Sequence, residues 1–106
     1  MMFKFISVFA LKPGYDADDT YKLWLNEHAP NVKAIQVPEL KKYAIGRVVH
    51  NPTPGENFFG VAQLSYDTLE DALRAQGRQN ASPRDEFANR LVKSRRVLIE
   101  EKDVMK

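Results

Sequence analysis

Two segments of this 106-residue chain carry apolar side chains on both of the faces that a β-strand presents to its surroundings. They are residues 3–11 and residues 58–66, and in each of them apolar residues occupy both alternations. A strand of this kind is normally covered on both faces of its sheet. The chain is therefore predicted to form a sheet with helices on one face and a second apolar layer on the other.

Three helices are predicted between the strands. The first follows Asp16, which can act as an N-cap and precedes an acidic first turn. The second is opened by the capping-box spacing of Asp67 and Glu70 and ends at a break over residues 77–81. The third begins after Ser82, with a proline at its first position. The apolar stripe of this third helix includes Phe87 and Leu91.

Two further strands are predicted over residues 40–50 and 96–101, which gives the order β-α-β-β-α-(α)-β. This is the ferredoxin-like split βαβ arrangement, an α+β fold with a four-stranded antiparallel sheet in one domain spanning residues 1–106. Right-handed crossovers place the helices on one face of that sheet. The other face is left open and apolar, so we expect a homodimer in which two such sheets pack into an α/β barrel.

Composition excludes several other classes of protein. The chain is 43% hydrophobic and 28% charged, as in ordinary globular domains, and it has no cysteine for a disulfide or a thiolate site. A net charge of +2, with one basic cluster at residues 93–96 followed directly by acidic residues, argues against a nucleic-acid partner. No apolar run reaches the length of a membrane span, and the first residues do not resemble a signal peptide. A cytoplasmic protein is expected.

A histidine lies on the apolar stripe of the first helix. The stripe consists of Tyr21, Trp24, Leu25, His28, Val32 and Ile35, at the spacing of one helical face. His28 therefore points to where this helix meets the sheet. Pro30 removes one backbone hydrogen bond and is expected to kink the helix just after His28. The imidazole is either a core group bonded to a backbone carbonyl or part of an active site.

The same region carries a family resemblance. The segment from Trp24 to Pro30 reads W-L-N-E-H-A-P, and the segment from Val37 to Tyr43 reads V-P-E-L-K-K-Y. This pattern resembles the EthD family within the dimeric α/β-barrel superfamily. The resemblance implies a ferredoxin-like dimer, and it connects the chain with ether degradation, aromatic-compound pathways, lactone isomerisation and polyketide cyclisation. The superfamily also contains haem-degrading monooxygenases, so the fold alone does not choose the reaction.

Two residues are candidates for catalysis. A half-buried His28 is suited to proton transfer, either as a base at a C–H beside a carbonyl or as an acid at a departing oxygen. Tyr43 opens the second strand and, if its alternation faces the helices, can donate a hydrogen bond to a developing oxyanion. The alternative for Tyr43 is a half-buried side chain with its hydroxyl in water.

Three residues are candidates for substrate binding. Arg47 shares the alternation of Tyr43 and is either a carboxylate anchor or an arginine that reaches solvent at a strand end. Trp24 is either core packing or an apolar wall for a cyclic ligand. Gln63 lies on a partly polar alternation of the third strand and is a candidate pocket residue. The other histidine, His50, is expected to be exposed.

The sequence thus predicts a small cofactor-free enzyme that moves a proton on a cyclic or aromatic-derived carbonyl compound, as an isomerase, cyclase or lyase. No metal is expected, because two histidines without thiols make a poor protein-only zinc site. Two alternatives stay open. One is a non-catalytic dimer that binds a hydrophobic small molecule, and the other is a cofactor-free or haem-dependent monooxygenase of the same superfamily.

Overall fold

The computed structural model describes residues 2–105, apart from the side chain of Lys93. Its four strands are β1 (Met2–Leu11), β2 (Lys42–Arg47), β3 (Phe58–Tyr66) and β4 (Leu91–Glu101). Its helical segments are α1 (Ala17–Leu23), a π-helical turn (Trp24–His28), α2 (Ala29–Gln36), α3 (Leu69–Ala81) and α4 (Glu86–Asn89). The strands form one sheet in the order β2-β3-β1-β4, with every pairing antiparallel. The predicted ferredoxin-like α+β fold is confirmed.

Strand β2 is shorter than the predicted 40–50. At its start, the amide of Leu40 still bonds to the carbonyl of Gln36 in the turn that follows α2, and the Val37–Pro38 peptide bond in this turn is cis. After the strand, the Asn51 side chain bonds both the amide and the carbonyl of Phe58 and closes a loop. The amide of Val48 still donates to the carbonyl of Phe59 on β3 at 2.8 Å, and residues 49–50 then lead into the loop.

The predicted break over residues 77–81 is wrong, because α3 runs through it to Ala81. The inner side of this helix is held by buried Ala75 and Gln76, and a side chain at Gly77 would meet only open space. Packing of the inner face therefore outweighs the low helix propensity of glycine. The N-cap is also one residue later than predicted, since Thr68 accepts from the amide of Asp71.

The predicted third helix is wrong at both ends. Asp85, not Ser82, caps α4, which has only four residues. Leu91 is not on a helical stripe but begins β4, where it pairs with Leu11. The last strand thus starts five residues before the predicted Arg96, because pairing with the full length of β1 satisfies more backbone groups than another helical turn.

The predicted kink near Pro30 takes the form of the π-helical turn. The amide of Ala29 bonds to the carbonyl of Trp24, five residues earlier. Since Pro30 has no amide hydrogen to continue the regular ladder, the wider turn absorbs the defect before the proline. Both Trp24 and His28 face the sheet, with Trp24 1% exposed.

An aromatic cluster joins the helices to the inner face of the sheet. The ring of Trp24 stacks on Phe87 with centroids 5.1 Å apart and packs edge-on against Phe9 at 5.0 Å. Phe59 also contacts Trp24, at 6.0 Å. The alternation had placed Phe59 on the opposite face of β3 together with Val61. A register shift opposite residues 9–10 of β1 makes Phe59 the extra residue of a bulge and turns it toward the core.

Gly60 is the point of closest approach between helix and sheet. A Cβ atom at this position would lie 2.6 Å from one ring carbon of Trp24 and 3.0 Å from a ring carbon of Phe9. The missing side chain is therefore what lets the indole rest on β3.

We expect Gly60→Ala to destabilise the fold by about 1–3 kcal/mol, the usual cost of overpacking a close-packed core. Gly46→Ala is the matched control, because its Cβ would meet only the carbonyl of Val61 at 4.0 Å. Urea unfolding of both variants provides the measurement. Equal stability of the two variants would contradict this account of Gly60.

Hydrogen bonds from one arginine connect α3 to the end of α2 and the turn that follows it. The guanidinium of Arg78 donates to the carbonyls of Ile35 (2.9 Å) and Val37 (3.2 Å) and to both oxygens of Glu39 (2.5 and 3.1 Å). The hydrogen bond from Arg78 holds the pKa of Glu39 at about 2, against an ordinary value of 4.5. A further hydrogen bond connects α2 to the sheet: the buried hydroxyl of Tyr66, at the end of β3, donates to the side chain of Gln36.

The lowered pKa of Glu39 predicts an acid-sensitive fold. A carboxylate whose pKa is depressed in the folded state stabilises it above its unfolded pKa, and this stabilisation is lost as the pH falls. The free energy of unfolding should therefore decrease between about pH 4.5 and pH 2. Glu39→Gln should flatten this part of the pH profile measured by chemical denaturation, whereas Glu56→Gln, in an exposed loop, should leave it unchanged. If the free energy of unfolding fell equally steeply with pH in both variants, Glu39 would not be the source of the acid sensitivity.

The outer face of the sheet carries the remaining apolar side chains. They belong to Ile6, Val8, Val61, Val97 and Ile99, which the strand registers place on the face away from the helices. Val97 is 57% exposed. Within the described residues, no helix combines the length and the apolar composition needed to cross a membrane.

Candidate active site

A cavity of about 580 Å³ lies between the inner face of the sheet and the helices. Aromatic and aliphatic side chains from β1, β3 and the segment before β4 form much of its wall, and polar groups are spaced around them. The apolar side chains include Phe5, Phe9, Trp24, Leu64 and Phe87. A concavity that combines an aromatic wall with convergent polar groups is a common form of small-molecule site.

A histidine and an aspartate are paired at this cavity. Nδ1 of His28 lies 2.5 Å from Oδ2 of Asp85, and their side chains are 20% and 29% exposed. The other carboxylate oxygen of Asp85 accepts from the amide of Ala88 at 2.9 Å, which is the N-cap bond of α4. One carboxylate therefore begins a helix and orients an imidazole at the same time.

The pairing decides which nitrogen of His28 is available. An ionised carboxylate only accepts hydrogen bonds, so Nδ1 carries the hydrogen and Nε2 of the neutral ring is left as an acceptor. The ring is also held against Phe87, with centroids 4.6 Å apart. When Nε2 takes up a proton, the neighbouring carboxylate stabilises the resulting imidazolium. A histidine oriented in this way is able to accept a proton at Nε2.

Tyr43 lines the same cavity from β2. Burial raises the pKa of its hydroxyl, a polar contact with Trp24 lowers it, and the negative charge of Asp85 raises it. The net shift is upward, so the phenol stays protonated at neutral pH and is a hydrogen-bond donor. Its register opposite Leu64 places it on the inner face of the sheet.

The structure brings together three of the five predicted site residues. Trp24, His28 and Tyr43 all line the cavity, whereas Arg47 and Gln63 do not. Arg47 forms an ion pair with Asp18 and lies over the ring of Tyr21 at 5.3 Å, near the start of the first helix.

Gln63 lies on the outer face of the sheet, where it accepts from Lys4 at 3.2 Å. Gln63 shares its alternation of β3 with Val61, and the sequence alone does not determine which alternation the helices cover. His50 follows β2 in an exposed stretch, as expected.

Two cavity residues were missed from the sequence. The sequence signals a helix start after Ser82, but it does not indicate that Asp85 also reaches His28, 57 residues away in the chain. Arg96 belongs to the basic cluster at residues 93–96, and β4 places it on the inner face opposite Ser7. The alternation of a correctly bounded β4 would have separated Arg96 from Arg95. No three His, Asp or Glu side chains among residues 2–105 are close enough to hold a metal ion.

Structures similar to this chain share its fold at low sequence identity. An EthD-family protein from Bacillus halodurans C-125 is 22% identical with a TM-score of 0.66, and the match covers 96% of this chain and 100% of that one. A dimeric ferredoxin-like protein of unknown function from Thermobifida fusca is 18% identical with a TM-score of 0.65, over 93% and 90% of the two chains. SnoaB, a cofactor-independent oxygenase from Streptomyces nogalater, is 12% identical with a TM-score of 0.62, over 98% and 96%.

Comparison with curated proteins found no match. Residues 12–88 match the EthD domain family, and this region includes both His28 and Asp85. The match covers well over half of the chain, and it agrees with the resemblance seen around the H-A-P triplet. The chain belongs to the EthD family.

Proposed function

We propose that this protein is a cofactor-free enzyme that transfers a proton on a cyclic or aromatic-derived carbonyl compound, with His28 as the general base. The observation that carries the proposal is the 2.5 Å pairing of His28 with Asp85 at the wall of a cavity that is partly lined by aromatic side chains. A histidine that only supported the core would need one backbone acceptor. Here the acceptor is a carboxylate that is itself fixed by a helix cap.

The reaction begins when Nε2 of His28 removes a proton from a carbon beside the substrate carbonyl. The electron pair of the broken C–H bond moves to the carbonyl oxygen and forms an enolate, and the hydroxyl of Tyr43 donates to that oxygen. Return of the proton to a different carbon completes an isomerisation. Departure of a group from the β-carbon instead completes an elimination.

The walls of the cavity support this chemistry. Aromatic side chains around His28 and Tyr43 lower the local dielectric, which strengthens the interaction of the phenol with a developing negative charge. They also fit the flat body of a cyclic substrate.

Deuterium exchange tests the proposal. Enolisable cyclic ketones, lactones and aromatic-derived carbonyl compounds are incubated with the protein in D2O, and exchange of the acidic C–H is followed by NMR. We expect exchange with at least one compound and a loss of about 10²-fold or more in His28→Gln, the usual contribution of a general base. Asp85→Asn should also slow exchange strongly, because an amide at this position can stabilise the wrong tautomer of His28.

His50→Gln is the control, because it removes the other histidine of the chain from an exposed position. Exchange that continues at the same rate in His28→Gln would refute the catalytic assignment. A compound that binds equally well to wild type and to His28→Gln, without exchange in either, would identify the protein as a binding module.

A second candidate function is cofactor-independent oxygenation, and the likeness to SnoaB favours it. Deprotonation by His28 would convert a hydroxylated aromatic substrate to an electron-rich anion that donates an electron directly to O2. The two functions share the base and differ in the next step. Oxygen consumption that depends on His28 would choose oxygenation, whereas deuterium exchange without oxygen uptake would choose isomerisation or elimination.

We also propose that the protein is a homodimer through the outer face of the sheet. The T. fusca relative is dimeric, and the apolar side chains of this face have no covering layer within the described chain. Burial of such a face against a second copy is favourable at about 25 cal/mol per Å² of apolar surface.

Val97→Glu should convert the dimer to a monomer, because it places a charge on the apolar outer face that forms the proposed interface. Sedimentation velocity provides the measurement. Leu73→Glu is the control, since Leu73 is similarly exposed at 56% but lies on α3. A monomeric wild type, or a dimer that persists in Val97→Glu, would contradict the proposed interface.

A further inference from the structure

One cation at the cavity has no hydrogen-bond or ion-pair partner within the described part of the chain. Arg96 lines the cavity from β4, and none of its guanidinium N–H groups donates to a protein acceptor among residues 2–105. The other charged residues of the cavity wall form hydrogen bonds or ion pairs with protein groups. Asp85 pairs with His28 and caps α4, and Arg84 donates to Asn89 and to the carbonyl of Ala88.

The guanidinium of Arg96 nevertheless has a defined position at the cavity wall, where it contacts an aromatic ring. Its central carbon lies 5.5 Å from the centre of the Phe5 ring, in a cation–π contact. On the neighbouring strand Ser7 is directly opposite Arg96, and both residues line the cavity. An arginine fork beside a serine hydroxyl is a donor set that matches the two oxygens of a carboxylate.

We propose that Arg96 binds a carboxylate of the substrate, so that the compound accepted by this cavity is a cyclic or aromatic acid. The structure thereby assigns to Arg96 the anchoring function that the sequence suggested for Arg47, whose guanidinium is paired with Asp18 instead. Arg96 is exposed at the rim of the cavity, so the carboxylate stays at the rim while the ring enters between the aromatic walls.

The proposed anchor and the proposed base line the same cavity. The ring of His28 contacts Phe87 with centroids 4.6 Å apart, and Phe87 lies edge-on against Phe9 at 5.8 Å. Ser7, which is opposite Arg96, is two residues before Phe9 on β1. The aromatic side chains in this region give the ring of a cyclic acid an apolar surface to pack against.

The carboxylate anchor rests on the proposed function, because it names the class of substrate for the proposed enzyme. Ligand binding nevertheless tests the anchor separately from catalysis. Benzoate is the probe, and benzamide is the uncharged probe of the same shape. Trp24 is the only tryptophan and lines the cavity, so its fluorescence reports occupancy directly. We expect benzoate to quench this fluorescence at neutral pH, and Arg96→Gln to weaken benzoate binding by about tenfold or more while benzamide binding stays unchanged.

Arg95→Gln is the matched control, because it removes the same charge from the adjacent residue, which pairs with Val8 on the outer face. Equal loss in both variants would show general electrostatic attraction and overturn the proposal. So would benzoate affinity that is unchanged in Arg96→Gln, or no benzoate binding to the wild type at millimolar concentration.

His28→Gln separates this inference from the proposed function. If the variant binds benzoate like the wild type but wild type exchanges no deuterium into enolisable acids, the carboxylate site stands and the catalytic proposal fails. If exchange occurs and is faster for neutral compounds than for acids, in wild type and in Arg96→Gln alike, the catalytic proposal stands and the carboxylate anchor fails.

Discussion

The packing of Trp24 onto Gly60 sets the distance between the first helix and the sheet, and the rest of the site depends on it. The indole rests where a Cβ atom would lie 2.6 Å from its ring, and Phe9, Phe59 and Phe87 surround it. His28 is one turn further along the same helical stretch. Its position relative to Tyr43 on β2 therefore follows from how closely the indole approaches β3.

Asp85 both caps a helix and binds the side chain of His28. Its carboxylate satisfies the first turn of α4 and the imidazole of His28 together, so the imidazole is fixed by a group that cannot move without uncapping a helix. Because α4 has four residues and is followed closely by β4, the same short segment that orients His28 leads into the strand that carries Arg96. The proposed base and the proposed anchor are placed by two adjoining elements.

The two faces of the sheet carry different sets of side chains. The inner face supplies the aromatic floor of the cavity and Tyr43, while the outer face carries aliphatic side chains and the Lys4–Glu101 pair at 2.6 Å. A one-residue alternation in each strand is enough to divide these functions. The bulge at Phe59 is the exception, since it moves one aromatic ring from the outer set to the core.

Much of the fold followed from local patterns. The strand period over residues 3–11 and 58–66 predicted β1 and β3 closely, Asp16 caps the first helix as expected, and the chain order predicted the topology. The boundaries that failed, at residues 77–81 and 82–96, lie where pairing with β1 and packing of Ala75 compete with glycine and proline signals. Such competition is decided by contacts between distant segments, which a local pattern does not contain.

The same division applies to the site. The sequence by itself determined that His28 and Trp24 share the face of a helix that meets the sheet, because the spacing of side chains along a helix is fixed by its geometry. Only the tertiary structure decided that Asp85 is the partner of His28, that Arg96 rather than Arg47 reaches the cavity, and that Gln63 faces away from it. The physical reason is that strand alternation defines two faces without saying which one the helices cover, and a contact across 57 residues exists only after the chain has packed.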